Sequence, residues 1–325
     1  MKFLLLISLF AAISNLALKA QEYNDLILSY DDNIIHLEKD LSYFYLTSSN
    51  KFLAFYEGYT NQIYFQNLNN GISSKVEFRK GRGPNEILLI RGLAVIDNYL
   101  FILDVRNSKI LKYSLKDKSF ESEFALGRNR ISFITASRNT LYGKGINRDG
   151  IYFKIDIDNN KIEPLINSLT QQEIIELSKN IFRFEGPFLA NSEYLISIRV
   201  YETSMFVQKM NGEYSDFKYD QTKKEPEYEF DDNFGRAIGP PLRVNMKLND
   251  AALKPNSTIA YLSREGYTKK YPENNRSVLY QYDFIKREYV GILETEIESI
   301  GKIATNDKYL FIYDDKNFTI KRVEL

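Results

Sequence analysis

Gly81-Arg-Gly-Pro-Asn-Glu86 leads into three apolar runs, Gly92-Leu-Ala-Val-Ile96, Tyr99-Leu-Phe-Ile-Leu-Asp104 and Ile110-Leu-Lys-Tyr-Ser-Leu115. Polar breaks separate the runs, Asp97-Asn98 first and Arg106-Asn-Ser-Lys109 second. Runs of five or six such residues, broken by Asp, Asn, Gly and Ser, read as antiparallel strands joined by tight turns. The unit recurs along the chain, and its recurrence decides the fold.

Second-strand cores begin at Phe52, Leu100, Leu141, Tyr194, Ile259 and Tyr309. Most follow a turn rich in Asn, Asp or Ser: Ser49-Asn50, Asp97-Asn98, Arg138-Asn139, Asn191-Ser192, Asn256-Ser257 and Asn306-Asp307. The spacings of 48, 41, 53, 65 and 50 residues match the four-stranded blade of a β-propeller, with insertions. The expected fold is all-β: a six-bladed β-propeller of four-stranded antiparallel blades. The last unit, Ile300 to Leu325, is one strand short, whereas Asp25-Leu-Ile-Leu-Ser-Tyr30 and Asn33-Ile-Ile-His-Leu37 have strand character and no blade. The N-terminal segment is therefore expected to supply the outer strand of the last blade and close the ring, which removes two open sheet edges. Thr170-Gln-Gln-Glu173 is a capping-box pattern ahead of Ile174, Ile175, Leu177 and Ile181, so one short inserted helix is expected within Ser168–Ile181. Asp220–Val244, with Pro226, Pro240 and Pro241, reads as a long irregular loop between blades four and five.

Composition narrows the function classes. Lys+Arg and Asp+Glu both count 43, which gives no overall drive toward nucleic acid or anionic membrane. Cysteine is absent, so disulfides, thiolate metal sites and thiol nucleophiles are excluded. His36 is the single histidine and would lie in an outer strand, which leaves neither a Ser-His-Asp triad nor a multi-histidine zinc site. Residues 1–20 have the form of an export leader: Lys2, the apolar Phe3–Ile13, and Ala20 before the expected cut. The apolar stretch is 11 residues, short of the roughly 20 that span a bilayer, so no membrane span is expected. Residues 21–325 would form the propeller, outside the cytoplasm and without a cysteine-linked lipid.

The Gly81–Ile110 stretch resembles the NHL-type propeller repeat, which runs Gly-x-Gly-Pro-Gly, Gly-Ile-Ala-Val, a Tyr-Val-Ala-Asp strand, then Asn-x-Arg-Ile. Asn85 and Lys109 depart from that pattern. Leu253-Lys-Pro-Asn-Ser-Thr-Ile-Ala-Tyr261 is similar to a strand turn of TolB-type propellers. With the leader, the chain resembles the TolB-like six-bladed propellers exported by Bacteroidota. The resemblance implies the fold and leaves the activity open, since one fold carries many functions.

The chemistry on offer is a recurring basic-x-x-Gly-Pro, at Lys80–Pro84, Arg183–Pro187 and Arg236–Pro240, each just before the first strand of a blade. Such links cross one face toward the channel, so the candidate ligand-binding residues are Arg82, Glu86, Arg91, Arg183 and Arg236. Guanidinium groups there would grip an anionic group; the competing reading is Gly-Pro as turn punctuation, with Glu86 and Glu185 neutralising their neighbours. Asp104 and Asp314 end equivalent strands and are expected to accept backbone N–H groups in the following turn. Asp156-Ile-Asp-Asn-Asn160 lacks the Gly and Glu of an EF-hand loop and reads as a hairpin turn. No catalytic or metal-binding set is identified and no cofactor is implied. The reading is an exported, non-catalytic binding or scaffold module for a protein, peptide or anionic or glycan ligand. A channel-metal hydrolase or lactonase is the alternative, and a structural subunit of the envelope is a third class.

Overall fold

The apolar runs become strands that are buried on both faces, and this follows from their alternation. In Phe52–Tyr56 the residues Phe52, Ala54 and Tyr56 pack toward one neighbouring blade, while Leu53 and Phe55 pack toward the other. Leu100 and Ile102 likewise face backward, and Phe101 and Leu103 face forward. A strand pressed on both sides is apolar at most positions, so it reads as a near-continuous run.

The computed structural model describes residues 24–26, 45–57, 62–147, 150–165, 172, 179–180, 184–219, 230–231, 236–237, 247–265, 278–295, 297, 299–314 and 319–325. The first strand, β1 (Asn24–Leu26), belongs to the last blade. Blade 1 is β2 (Tyr45–Ser48), β3 (Phe52–Glu57), β4 (Gln62–Asn67) and β5 (Ser73–Glu77). Blade 2 is β6 (Ile90–Ile96), β7 (Tyr99–Asp104), β8 (Lys109–Ser114) and β9 (Ser119–Ala125). Blade 3 is β10 (Ile131–Ser137), β11 (Thr140–Asn147), β12 (Gly150–Asp156) and β13 (Lys161–Pro164). Blade 4 is β14 (Phe188–Ala190), β15 (Tyr194–Arg199), β16 (Ser204–Lys209) and β17 (Tyr214–Lys218). A two-residue pairing of β18 (Phe230–Asp231) with β19 (Arg236–Ala237) lies within the expected irregular loop. Blade 5 is β20 (Lys247–Leu253), β21 (Ile259–Glu265), β22 (Val278–Asp283) and β23 (Glu288–Glu294). Blade 6 is β24 (Ile300–Thr305), β25 (Tyr309–Asp314) and β26 (Thr319–Glu324), completed by β1 through Asn24↔Arg322 and Leu26↔Ile320. The expected ring closure by the N-terminal segment is thus the observed one, over Asn24–Leu26. Six apolar clusters fill the six seams between blades. The leader, His36 and nearly all of the expected helix lie outside the described residues, Gln172 being its described helical residue. No helix among the described residues is long and apolar enough to cross a membrane.

Turn chemistry locks the blades at both ends. Asp104 is fully buried and accepts the N–H groups of Leu88, Leu89, Arg106 and Asn107 and the Asn107 side-chain amide, at 2.7–3.3 Å. It therefore ties the link entering blade 2 to that blade's β7–β8 turn. At the other end, the turns between first and second strands are stitched across four seams. Ser137 Oγ donates to Asn191 O at 2.6 Å, and Asn191 Nδ2 donates to Ser257 O at 3.2 Å. Thr305 Oγ1 donates to Leu253 O at 2.5 Å, Ser48 Oγ to Thr305 O at 2.9 Å, and Asn306 Nδ2 to Ser49 O at 3.0 Å. Asn191 and Asn306 also accept two backbone N–H groups each within their own turns. The same short side chains that make the turn thus join neighbouring blades. The Asp156 turn behaves as the expected hairpin, with Asn159 donating from both its backbone and its side chain.

Because Asp104 is a buried carboxylate serving several donors at once, Asp104→Ala is expected to destabilise the protein by about 2–4 kcal/mol. Asp307→Ala, at an exposed turn, is expected to cost less than about 0.5 kcal/mol. Urea midpoints of the two variants against the wild type check the difference.

Candidate functional site

The inner strands β2, β6, β10, β14, β20 and β24 surround a central cavity of about 460 Å³. Its walls carry few large polar groups, because these strands contribute Thr47, Gly92, Thr135, Ala136, Ala190, Ala252 and Ala304. Four charged side chains stand out among its lining: Arg91, Glu185, Asp250 and Lys302. They come from blades 2, 5 and 6 and from the link into blade 4.

Register explains how charges reach this space. The β6–β7 ladder shifts between Ile90 and Gly92, leaving Arg91 as the extra residue. The β24–β25 ladder shifts between Ile300 and Ile303, which places Lys302 in the irregular stretch. Equivalent shifts occur between Ile131 and Phe133 in β10 and between Leu248 and Asp250 in β20. A bulge turns a side chain out of the regular alternation, and such bulges cluster beside functional sites. Here the repeated bulge releases Arg91 and Lys302 from the blade–blade seams that flank them.

Arg91 Nη2 lies 3.3 Å from Glu185 Oε1, both side chains being about one-third exposed at 28% and 32%. Asp250 Oδ2 accepts the Ile303 N–H at 3.0 Å, linking blades 5 and 6. Burial pushes the Asp250 carboxyl above its usual range, while Lys302 and the Ile303 and Ala251 N–H groups oppose the shift. Tyr201 completes this side of the lining, and burial followed by the Glu185 charge raises its phenol.

Behind Glu185 lies a residue that the sequence did not single out. Lys144, in β11, is 1% exposed. Its Nζ donates to Phe184 O at 2.8 Å and Gly186 O at 2.9 Å, and lies 3.3 Å from Ser197 Oγ. It also sits 4.3 Å from the Phe133 ring centroid, a ring whose centroid is 5.9 Å from the Arg91 guanidinium. The register places Lys144 where blade 2 has the buried Leu103. Gly145 lets the strand lie against the preceding link, since a Cβ there would fall 1.8 Å from Arg130 O. Gly186 adopts φ +131°, a conformation that other residues rarely adopt, and so bends the link that carries Glu185. Burial lowers the Lys144 amine to about 7; Glu185 opposes this and Arg199 reinforces it. The partners suit both charge states: an ammonium donates three times, while a neutral amine donates to two carbonyls and accepts from the Ser197 hydroxyl. Lys144 thus fastens blade 3 to the carbonyls on either side of Glu185 and fixes where that carboxylate stands. The available signal was a lysine between two glycines inside a core strand, Gly143-Lys-Gly145.

Of the residues singled out from the sequence, Arg91 lines the cavity. Arg82 is exposed on its link and is not among the lining residues. Glu86 accepts the Gly83 N–H at 2.7 Å within its own loop. That loop is fastened over the outer part of blade 2, where Asn107 Nδ2 donates to Gly81 O and Lys109 Nζ to Gly83 O. Arg183 and the Arg236 side chain lie outside the described residues. Among the described residues, no group of three or more His, Asp or Glu is placed to hold a metal ion.

The profile of the DUF5128 family, described as 6-bladed beta-propeller, matches residues 57–234, more than half of the chain, and the chain belongs to that family. No curated protein sequence matches it. Among solved structures, it is similar to Kuenenia stuttgartiensis hydrazine synthase, with TM-score 0.51 and 10% identity over 91% of this chain and 99% of that one. Virginiamycin B lyase from Staphylococcus aureus gives 0.49 and 13%, over 86% and 79% of the two chains. The Cps50 (Swd1) propeller domain of Myceliophteria thermophila gives 0.47 and 13%, over 87% and 95%. At such identities the likeness is one of fold.

Between about pH 7 and 10.5 the unfolded chain holds a proton on Lys144 that the folded chain has released. The lysine contribution to stability therefore rises with pH across that window, by up to about 1.4 kcal/mol per unit, and is flat below it. The difference in unfolding free energy between wild type and Lys144→Met, measured from pH 6.5 to 9, should be constant below about pH 7 and shift in favour of wild type above it. A difference that does not change with pH would contradict the neutral amine.

Proposed function

We propose that the protein is an exported, non-catalytic binding or scaffold module that holds a protein, peptide or anionic or glycan ligand at the channel mouth. The observation that carries this reading is the set Arg91, Glu185, Asp250 and Lys302, drawn from separate blades into one cavity of about 460 Å³. Ligand sites are typically concave spaces of this size with a few placed polar groups. Arg91 offers a planar fork, Lys302 a point charge, and the two carboxylates accept donors. The balance of signs favours a ligand end that carries both donors and acceptors, such as a peptide terminus or a sugar acid.

Export rests on the leader pattern of residues 1–20, and kinship with TolB-like and NHL-type propellers rests on the Gly81–Ile110 and Leu253–Tyr261 motifs. The non-catalytic reading is supported by how the cavity's two carboxylates are engaged. Glu185 is paired with Arg91, and Asp250 accepts a backbone N–H.

A panel of short peptides and oligosaccharides, screened by thermal shift and then calorimetry, tests the proposal. At least one should bind, and Arg91→Ala with Lys302→Ala should weaken it by tenfold or more, about 1.4 kcal/mol. Divalent-metal-dependent turnover of an ester or lactone, abolished by Asp250→Asn, would replace this reading with the hydrolase.

A further inference from the structure

On the face opposite the Arg91 mouth, a second cavity of about 420 Å³ opens between blades 1 and 2. Its volume falls in the roughly 300–1,000 Å³ range of small-molecule sites. Four turns bound it: the β2–β3 and β4–β5 turns of blade 1 and the β6–β7 and β8–β9 turns of blade 2. On this face the four seams from blade 3 round to blade 1 are stitched by turn side chains. Among the described residues no such bond joins Ser49–Asn50 to Asp97–Asn98, and the cleft lies at that seam.

Three exposed lysines line it, Lys51, Lys116 and Lys118, and no carboxylate is among its lining residues. Among the described residues none of the three forms an ion pair. Asp117, which stands between two of them in the chain, is turned to Ser114, whose Oγ donates to it at 2.7 Å. Asp97, on the neighbouring turn, is not part of the lining.

The amides sharpen the chemistry. Asn67 Oδ1 accepts the Asn69 N–H at 2.9 Å, and Asn70 Oδ1 accepts the Ile72 N–H at 3.0 Å. Each turn thus uses the acceptor end of its asparagine and leaves the Nδ2 donors without a protein partner among the described residues. The cleft is rich in donors and poor in acceptors, so its complement is rich in acceptors. Asn69, Asn98 and Ser74 add groups that both donate and accept, as sugar hydroxyls require. Ile72, 60% exposed, adds apolar surface for a ring C–H face. The lining has no arginine fork for phosphate and no exposed aromatic ring on which a base could stack.

We propose that the cleft between blades 1 and 2 binds an acidic saccharide, its carboxylate or sulfate held by Lys51, Lys116 and Lys118 and its hydroxyls by the asparagine amides. The proposal does not rest on the channel reading, since no residue is shared between the two cavities.

The test is calorimetric titration of the full protein at low salt with tetragalacturonate, a neutral tetrasaccharide and capped tetraglutamate. Tetragalacturonate should bind, the neutral sugar should not, and the peptide should bind distinctly more weakly. Lys51→Gln/Lys116→Gln/Lys118→Gln should weaken tetragalacturonate by about tenfold, and raised salt should do the same. Asn67→Asp/Asn70→Asp keeps both turn acceptors while removing the donors, and should also weaken it. The loss in the lysine variant should persist in an Arg91→Ala/Lys302→Ala background, which separates this cleft from the channel. These substitutions are exposed or nearly isosteric, and unchanged thermal midpoints would confirm folding. Absence of tetragalacturonate binding, equal binding of tetraglutamate, or unaltered affinity in the lysine variant would each overturn the proposal.

Discussion

Burial of every central strand on both faces is the constraint from which the rest of this structure follows. A blade is not a sheet with an inside and an outside: it is pressed by a neighbour on each side. Phe52, Ala54 and Tyr56 serve one seam while Leu53 and Phe55 serve the next, so none of these five positions is left for a polar side chain. The large aromatic content follows from the same geometry. Rings such as Tyr152 and Phe206, stacked at 4.3 Å between blades 3 and 4, fill seams that widen away from the axis.

Function under this constraint must use departures from regularity. One departure is the bulge near the start of four inner strands, which places Arg91 and Lys302 outside the ladder and beside the channel. The other is Lys144, an amine in a core position, tolerated because two carbonyls, a hydroxyl and an aromatic face surround its nitrogen. A buried polar group is costly unless it is fully partnered, and a fully partnered one specifies a single arrangement of the elements that it joins. Here that arrangement is the placement of the Glu185 link against blade 3. The turns follow a related economy: Asn191 and Asn306 satisfy their own backbone with one end of the amide and reach the neighbouring blade with the other.

How much of this was legible in the sequence depends on whether the cause is local. The strand rhythm is local, because two-faced burial leaves unbroken apolar runs and the turns need Asn, Asp and Ser. The role of Asp104 is half local: an acid before a polar turn predicts backbone acceptance, but its hold on Leu88 and Leu89 requires the link to fold back over the blade. The Gly-Arg-Gly-Pro turn is legible as a turn. Its attachment over Asn107 and Lys109 is not, because it depends on partners more than twenty residues away. Of the channel charges, Arg91 was legible as a candidate, whereas Asp250 and Lys302 were not. Lys302 reaches the cavity through a register shift, and register is a property of two strands at once. Lys144 looks like an ordinary surface lysine until the packing of blade 3 on blade 4 is known.

The short pairing of Asn24–Leu26 with Arg322–Ile320 has a kinetic consequence. Its partners are separated by almost the whole chain, so bringing them together closes the longest loop among the strand pairs of the described residues. The other five blades can form from contacts within about fifty residues of sequence, whereas this one waits for the far end. Until then blade 6 presents the outer edge of β26 to any extended chain nearby. Assembly of the ring should therefore be limited by its final meeting of ends, and the interval before that meeting is when the protein is most open to mispairing.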